Sequence, residues 1–190
     1  TEIRKRFGAV SPGSKLILAV GRLAARKGYS TLIRGFSALN EEMPNTKLVI
    51  VGRGHLKRRL MRLAKSLGVE EDVRIESSLS FAELAQLYRS SDLVVYPSFY
   101  EGQGLIPLEA MASGVPVVTV DHGPLPEMVD ESVGALFTMG NIESMVSVMR
   151  EVLKTGREKG EQGRARVLQK FTYSGNAESF EKVYIEAIKR

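Results

Sequence analysis

Five short apolar runs constrain this chain more than any other feature. They are KLILAVG at 15–21, KLVIVG at 47–52, DVRIES at 72–77, DLVVYPS at 92–98 and VPVVTVD at 115–121. Most are β-branched and nearly continuous in apolarity rather than alternating. Strands of that kind are buried on both faces, as in a parallel sheet covered by helices. Helical periodicity fills the intervals. Leu32, Ile33, Phe36, Leu39 and Met43 recur at helical spacing over 29–43, and Leu56, Leu60, Leu63 and Leu67 over 55–67. Ser80 and Glu83 spell a capping box ahead of Leu84, Leu87 and Tyr88. Strand alternating with helix across short connections predicts right-handed βαβ units and a doubly wound α/β domain with a mainly parallel sheet. VGALFT at 133–138 is a candidate sixth strand. Beyond it Asn141 can cap a helix carrying Ile142, Met145, Val146, Met149, Val152 and Leu153, and two amphipathic segments follow, over 159–171 and 174–190. Residues 1–14, ending in the turn SPGS, read as a loose linker.

Composition narrows the function classes. The 190 residues suffice for one buried core, and with 43% hydrophobic and 26% charged residues the chain reads as globular rather than disordered. No apolar run approaches the ~20 residues of a membrane-spanning helix, and TEIRKRFGAV at the start is too charged for a signal peptide. A cytoplasmic setting is expected. The absence of cysteine excludes disulfides, thiolate metal sites and cysteine nucleophiles. His55 and His122 are far apart and outside any metal-ligand spacing. The net charge of +5 gathers locally at Lys57, Arg58, Arg59, Arg62 and Lys65. This cluster is a solvated helix face or a surface for phosphates or anionic lipid. Aromatics do not interleave with it, so no nucleic-acid partner is expected.

In an open α/β sheet ligands bind beyond the carboxyl ends of the strands. The five ends here read GRLAARKG, GRGH, SS, SFYEGQG and DHGPLPE, whereas the opposite ends read as ordinary turns. Arg22 and Lys27 flank a helix start, where free backbone N–H groups favour anions. They are either two solvated cations or a diphosphate site. Gly52 and Gly54 spell G-x-G after a strand, but Lys57 occupies the third position of the dinucleotide fingerprint, so close backbone approach is the simpler reading. Gly102 and Gly104 let the backbone approach a ligand. Pro107 suits the first turn of a helix opening at Leu105. Glu101 precedes that helix and Glu109 lies in it. Each carboxylate is a dipole partner or an acceptor for vicinal hydroxyls. Cations at one strand end and carboxylates with glycines at another point to a sugar joined to a nucleotide through phosphates.

The run VGRLAARKG…LVIVGRG…YPSFYEGQGLIPLEAMASGVPVV resembles the donor-binding, C-terminal domain of retaining nucleotide-sugar glycosyltransferases of the two-Rossmann-domain (GT-B) type with an E-x7-E motif. The likeness extends from about residue 15 to the last helix. It implies that Arg22 and Lys27 grip the donor diphosphate, that Glu101 lies near the donor sugar and that Glu109 meets the ribose. The backbone from Gly102 to Leu105 then approaches phosphate and sugar. Gly21 belongs to the first loop, and Gly52, Gly54 and Ser77 to the rim that receives the base. Phe180 and Tyr184 are expected on the inner face of a final helix that returns to a second domain. The implied donor is a UDP-, GDP- or ADP-linked hexose, with retention of configuration. No cofactor and no metal are expected, in keeping with the lack of a D-x-D pair. An N-terminal acceptor domain of similar size is implied as a partner, and without it the domain is expected to bind donor but to transfer little. Lipid-linked acceptors in the family imply peripheral membrane contact of a full enzyme. Departures are Gln103 in place of the usual aromatic, Ser77 in place of a frequent glycine, and Pro124 in HGPLPE. Two other readings stay open: a non-catalytic nucleotide-binding or assembly module on the same fold, and a dinucleotide-dependent oxidoreductase resting on GRG alone.

Overall fold

In the computed structural model, which describes residues 2–189, the apolar runs become strands as their composition requires. Leu16–Ala19, Leu48–Ile50 and Leu93–Val95 are wholly inaccessible to solvent. Full burial of such side chains stabilises by about 1.5–3 kcal/mol each, and a two-sided cover of helices is the arrangement that provides it. The strands are β1 (Lys15–Val20), β2 (Thr46–Val51), β3 (Val73–Glu76), β4 (Leu93–Tyr96), β5 (Val117–Val120) and β6 (Gly134–Phe137). They form one sheet in the order β3-β2-β1-β4-β5-β6. All five pairings are parallel. β1 and β2 pair along their whole length, from Lys15 opposite Thr46 to Val20 opposite Val51. The order reverses between β1 and β4, which places the topological switch point there.

The helices are α1 (Glu2–Arg6), α2 (Tyr29–Glu42), α3 (Lys57–Ser66), α4 (Phe81–Ser90), α5 (Leu105–Ala112), α6 (Leu125–Met128), α7 (Ile142–Lys170) and α8 (Tyr173–Ile188). Two predicted caps form. Ser80 accepts from the Glu83 amide while the Glu83 carboxylate accepts from the Ser80 amide, and Asn141 accepts from the Ser144 amide at 2.9 Å.

Two expectations need correction. The first residues are not loose: α1 buries Ile3, and Phe7 and Ala9 beyond it join the core. Arg4 donates to the carbonyls of Ser90 (2.7 Å) and Ser14 (2.6 Å) and pairs with Asp92 at 2.8 Å. Five residues are too few to show a helical period, so the sequence hid this element. Second, the helix after Asn141 and the segment that begins at 159 are one 29-residue helix, α7, which runs to Lys170. Its glycines do not break it, because they serve close packing. A Cβ at Gly160 would lie 2.2 Å from the Gly114 carbonyl oxygen, and at Gly163 3.0 Å from Met111 Cγ. Phe180 and Tyr184 lie on the surface of α8. They stack at 6.4 Å between centroids and are 63% and 64% exposed, on a helix with no buried residue.

Candidate functional site

The loops beyond the strands are laced together before any side chain is considered. The Gly21 amide donates to the Val51 carbonyl at 2.9 Å, Leu23 to Arg53 at 2.8 Å, and Gly52 to Glu76 at 2.8 Å. A Cβ on Gly52 would sit 1.8 Å from the Gly21 carbonyl oxygen, and one on Gly54 2.4 Å from that of Leu23. The G-x-G after β2 is therefore needed for contact between loops.

The loop after β1 turns through a 3₁₀ segment, Ala25–Lys27, into Gly28, whose φ of 69° lies in the left-handed region. A Cβ there would meet the Pro97 carbonyl oxygen at 2.1 Å. The Phe99 amide donates to the Arg26 carbonyl at 2.8 Å. Together these contacts press the loops after β1 and β4 into each other. They bring Lys27 onto Glu101 as an ion pair whose side chains are 11% and 14% exposed. Lys27 Nζ also donates to the Tyr96 hydroxyl at 3.0 Å and lies 5.1 Å from the centroid of that ring. Ser98, 1% exposed, donates to Glu101 Oε1. Burial pushes the Glu101 carboxyl upward, but bonds from Lys27, Ser98 and Tyr96 and the Lys27 charge outweigh it, holding Glu101 below the ordinary range.

Glu109 lies one helix further round, on α5. Its Oε2 accepts from the Tyr88 hydroxyl of α4 at 2.8 Å, and a pocket of about 330 Å³ between α4 and α5 opens beside the pair. Tyr29 sits at the start of α2, 2% exposed, with its hydroxyl beneath Gly21. Burial first, and then the neighbouring glutamate, raise all three tyrosine hydroxyls far above their ordinary value: Glu101 acts on Tyr29 by its charge, Glu109 on Tyr88 by charge and hydrogen bond, and Glu101 on Tyr96 by hydrogen bond and charge.

The remaining predicted residues form the rim. Arg22 is exposed, with no side-chain hydrogen bond or ion pair among the described residues. The structure thus brings Lys27, but not Arg22, onto Glu101. Gly104 (φ 82°) caps α5, where an added Cβ would lie 2.8 Å from Leu125 Cδ2 of α6. Pro124 thus opens a short helix that supports the glycine loop. Gly102 has open space around it. Gln103 and Leu105 are exposed. Ser77 is held by two cations: Lys57 donates to its Oγ and Arg53 to its carbonyl, both at 2.9 Å. No group of three or more His, Asp or Glu side chains converges on a metal position among the described residues. Sequence reasoning missed Tyr29, Tyr88, Tyr96 and Ser98. The signal was available in part, since YPS places two hydroxyls at a strand end three and five residues before Glu101.

A parallel sheet with its order reversed between β1 and β4, glycine loops at that end, and a lysine–glutamate pair across the switch point define a Rossmann-like α/β domain with a polar ligand-binding end. The chain belongs to the glycosyl transferases group 1 family, whose model matches residues 1–166. It is 39% identical over 143 residues to mannosylfructose-phosphate synthase of Agrobacterium fabrum, covering 71% of this chain and 31% of that protein. It is 32% identical over 197 residues to a D-inositol 3-phosphate glycosyltransferase of Corynebacterium aurimucosum, covering 99% of this chain and 47% of that one. The chain thus spans less than half the length of these relatives. In fold it is similar to Anabaena HepE, solved in complex with UDP, with a TM-score of 0.84, 23% identity, and coverage of 96% of this chain and 51% of that one.

Proposed function

We propose that this chain is the nucleotide-sugar-binding half of a retaining glycosyltransferase that passes a hexosyl group from a nucleoside-diphosphate sugar to an acceptor. The observation that carries the reading is the Lys27–Glu101 pair at the switch point, followed by the glycine loop and by Glu109 on α5. Lys27 and Arg22 take the diphosphate and stabilise the charge that develops on the departing nucleotide. Glu101 faces the donor sugar, and Glu109, oriented by Tyr88, accepts from the ribose hydroxyls. The backbone from Gly102 to Leu105 lies along the phosphates, and Gly52, Gly54 and Ser77 frame the base. The chemistry needs no metal in this reading, because cationic side chains and backbone N–H groups carry the charge stabilisation.

An acceptor domain completes the cleft, and α8 offers it an apolar stripe. Of the chain's 27 lysines and arginines, six lie within residues 53–69, which hold no acid; without them the 22 acids would outnumber the bases. That face suits contact of the whole enzyme with an anionic membrane surface. The ribose role is tested by Glu109→Ala. We expect about tenfold weaker binding of UDP or GDP, the loss of hydrogen bonds to a charged group. Unchanged affinity removes Glu109 from the site.

A further inference from the structure

Three buried tyrosines underlie the site, and their hydroxyls have unequal fates. Tyr96 is tied to Lys27 and Tyr88 to Glu109, at 3.0 and 2.8 Å. Tyr29 is the least exposed of the three, at 2%, yet its hydroxyl is buried without a hydrogen-bond partner among the described residues. It lies beneath Gly21 and within electrostatic reach of Glu101, Tyr88 and Tyr96. Packing alone would be met by phenylalanine. An unsatisfied buried hydroxyl is destabilising, so the hydroxyl needs a reason other than the fold of the free chain.

We propose that Tyr29 is a positioning residue whose hydroxyl is satisfied in the ligand-bound state, where it donates to Glu101 as Lys27 turns from that carboxylate to the ligand's phosphate. This rests on the nucleotide-sugar reading of the site. In the free chain Lys27 is engaged by Glu101, so phosphate and carboxylate compete for the same ammonium. A second donor for Glu101 lowers the cost of that exchange, because the carboxylate is never left buried with a vacant lone pair. Ser98 remains bonded to Glu101 throughout, and the Tyr96 ring keeps Lys27 near the exchange.

The test uses Tyr29→Phe and unaltered chain, each titrated calorimetrically with UDP, GDP and ADP and melted without ligand. Removal of an unpaired hydroxyl should leave the melting temperature unchanged or higher, while affinity for the preferred nucleotide falls about three- to tenfold, as for one hydrogen bond. Tyr88→Phe is the contrast: it removes a bond that already exists, so its stability should fall together with its affinity. If Tyr29→Phe binds as the unaltered chain does, or if its melting temperature and affinity fall together, the proposal is overturned while the site reading stands. If the unaltered chain binds none of the three nucleotides, the site reading itself fails, and the Tyr29 proposal with it.

Discussion

Lys27 and Glu101, 74 positions apart in sequence, form a nearly buried ion pair between the loops that follow β1 and β4. The pair is held by glycine contacts below it and by Tyr96 and Ser98 beside it. It therefore contributes to the fold and to the site at once. Removing one member leaves the other charged and poorly solvated, which in a buried pair costs about 3–5 kcal/mol. Lys27→Ala should accordingly lower stability by about 3 kcal/mol, near the lower end because both side chains retain some solvent. Urea unfolding measures it. A loss of about 0.5 kcal/mol or less is the behaviour of an exposed pair and would contradict the role assigned here.

Arg22 gives the opposite prediction. It is exposed and no side chain among the described residues holds it, so Arg22→Ala should change stability by less than about 0.5 kcal/mol. It should still weaken nucleoside-diphosphate binding, and more so at low salt than at high, because an exposed charge is screened. Titration at two ionic strengths decides this: an affinity loss independent of salt would point to a packing effect instead.

The glycines divide in the same way. Gly52→Ala places a methyl 1.8 Å from a backbone oxygen and should severely destabilise the chain. Gly102→Ala meets nothing within 4 Å and its φ is not positive, so its melting temperature should match that of the unaltered chain. Any fall in nucleotide affinity then reports close approach of ligand to the loop. Equal melting temperatures for the two variants would refute the loop-contact account of GRG.

Acid should unfold the chain through identifiable carboxylates. The Ser80 amide and hydroxyl hold Glu83 down at about 2, from an ordinary 4.5. Asp130, despite some opposing burial, is held at about 2 by Arg166 and Ser132, from an ordinary 3.8. Both folded values are depressed, so the unfolded chain binds more protons and stability rises with pH through this range. The contribution is present above about 4.5 and is lost as pH falls toward about 2. Glu101, also depressed, adds in the same direction. Urea midpoints measured across this window should fall steadily, and Asp130→Asn should show a shallower fall. A flat profile would show that these bonds do not survive in solution.

The strands, their parallel pairing and the end of the sheet that carries polar loops were legible because a two-sided buried strand has a distinct composition and its helices a distinct period. Ser80 and Asn141 were legible as caps because capping needs only local spacing. What stayed hidden depends on distant chain. Arg4 folds α1 back onto carbonyls at 14 and 90, and α7 passes unbroken through Gly156, Gly160 and Gly163 because other segments press against those positions. At the candidate site, residue types pointed to Lys27, Glu101 and Glu109, but not to the contact of Lys27 with Glu101 rather than a place beside Arg22. Tyr88 read as part of a buried helix stripe; only the fold shows its hydroxyl on Glu109, that of Tyr96 on Lys27 and that of Tyr29 beneath Gly21.

The central claim is that the polar end of this sheet takes a nucleoside diphosphate. Calorimetric titration of the chain with UDP, GDP, ADP and NAD tests it most directly. The account predicts saturable binding of at least one nucleoside diphosphate, weakened by Glu109→Ala, and no comparable binding of NAD. Binding of NAD with no response to any nucleoside diphosphate would contradict it.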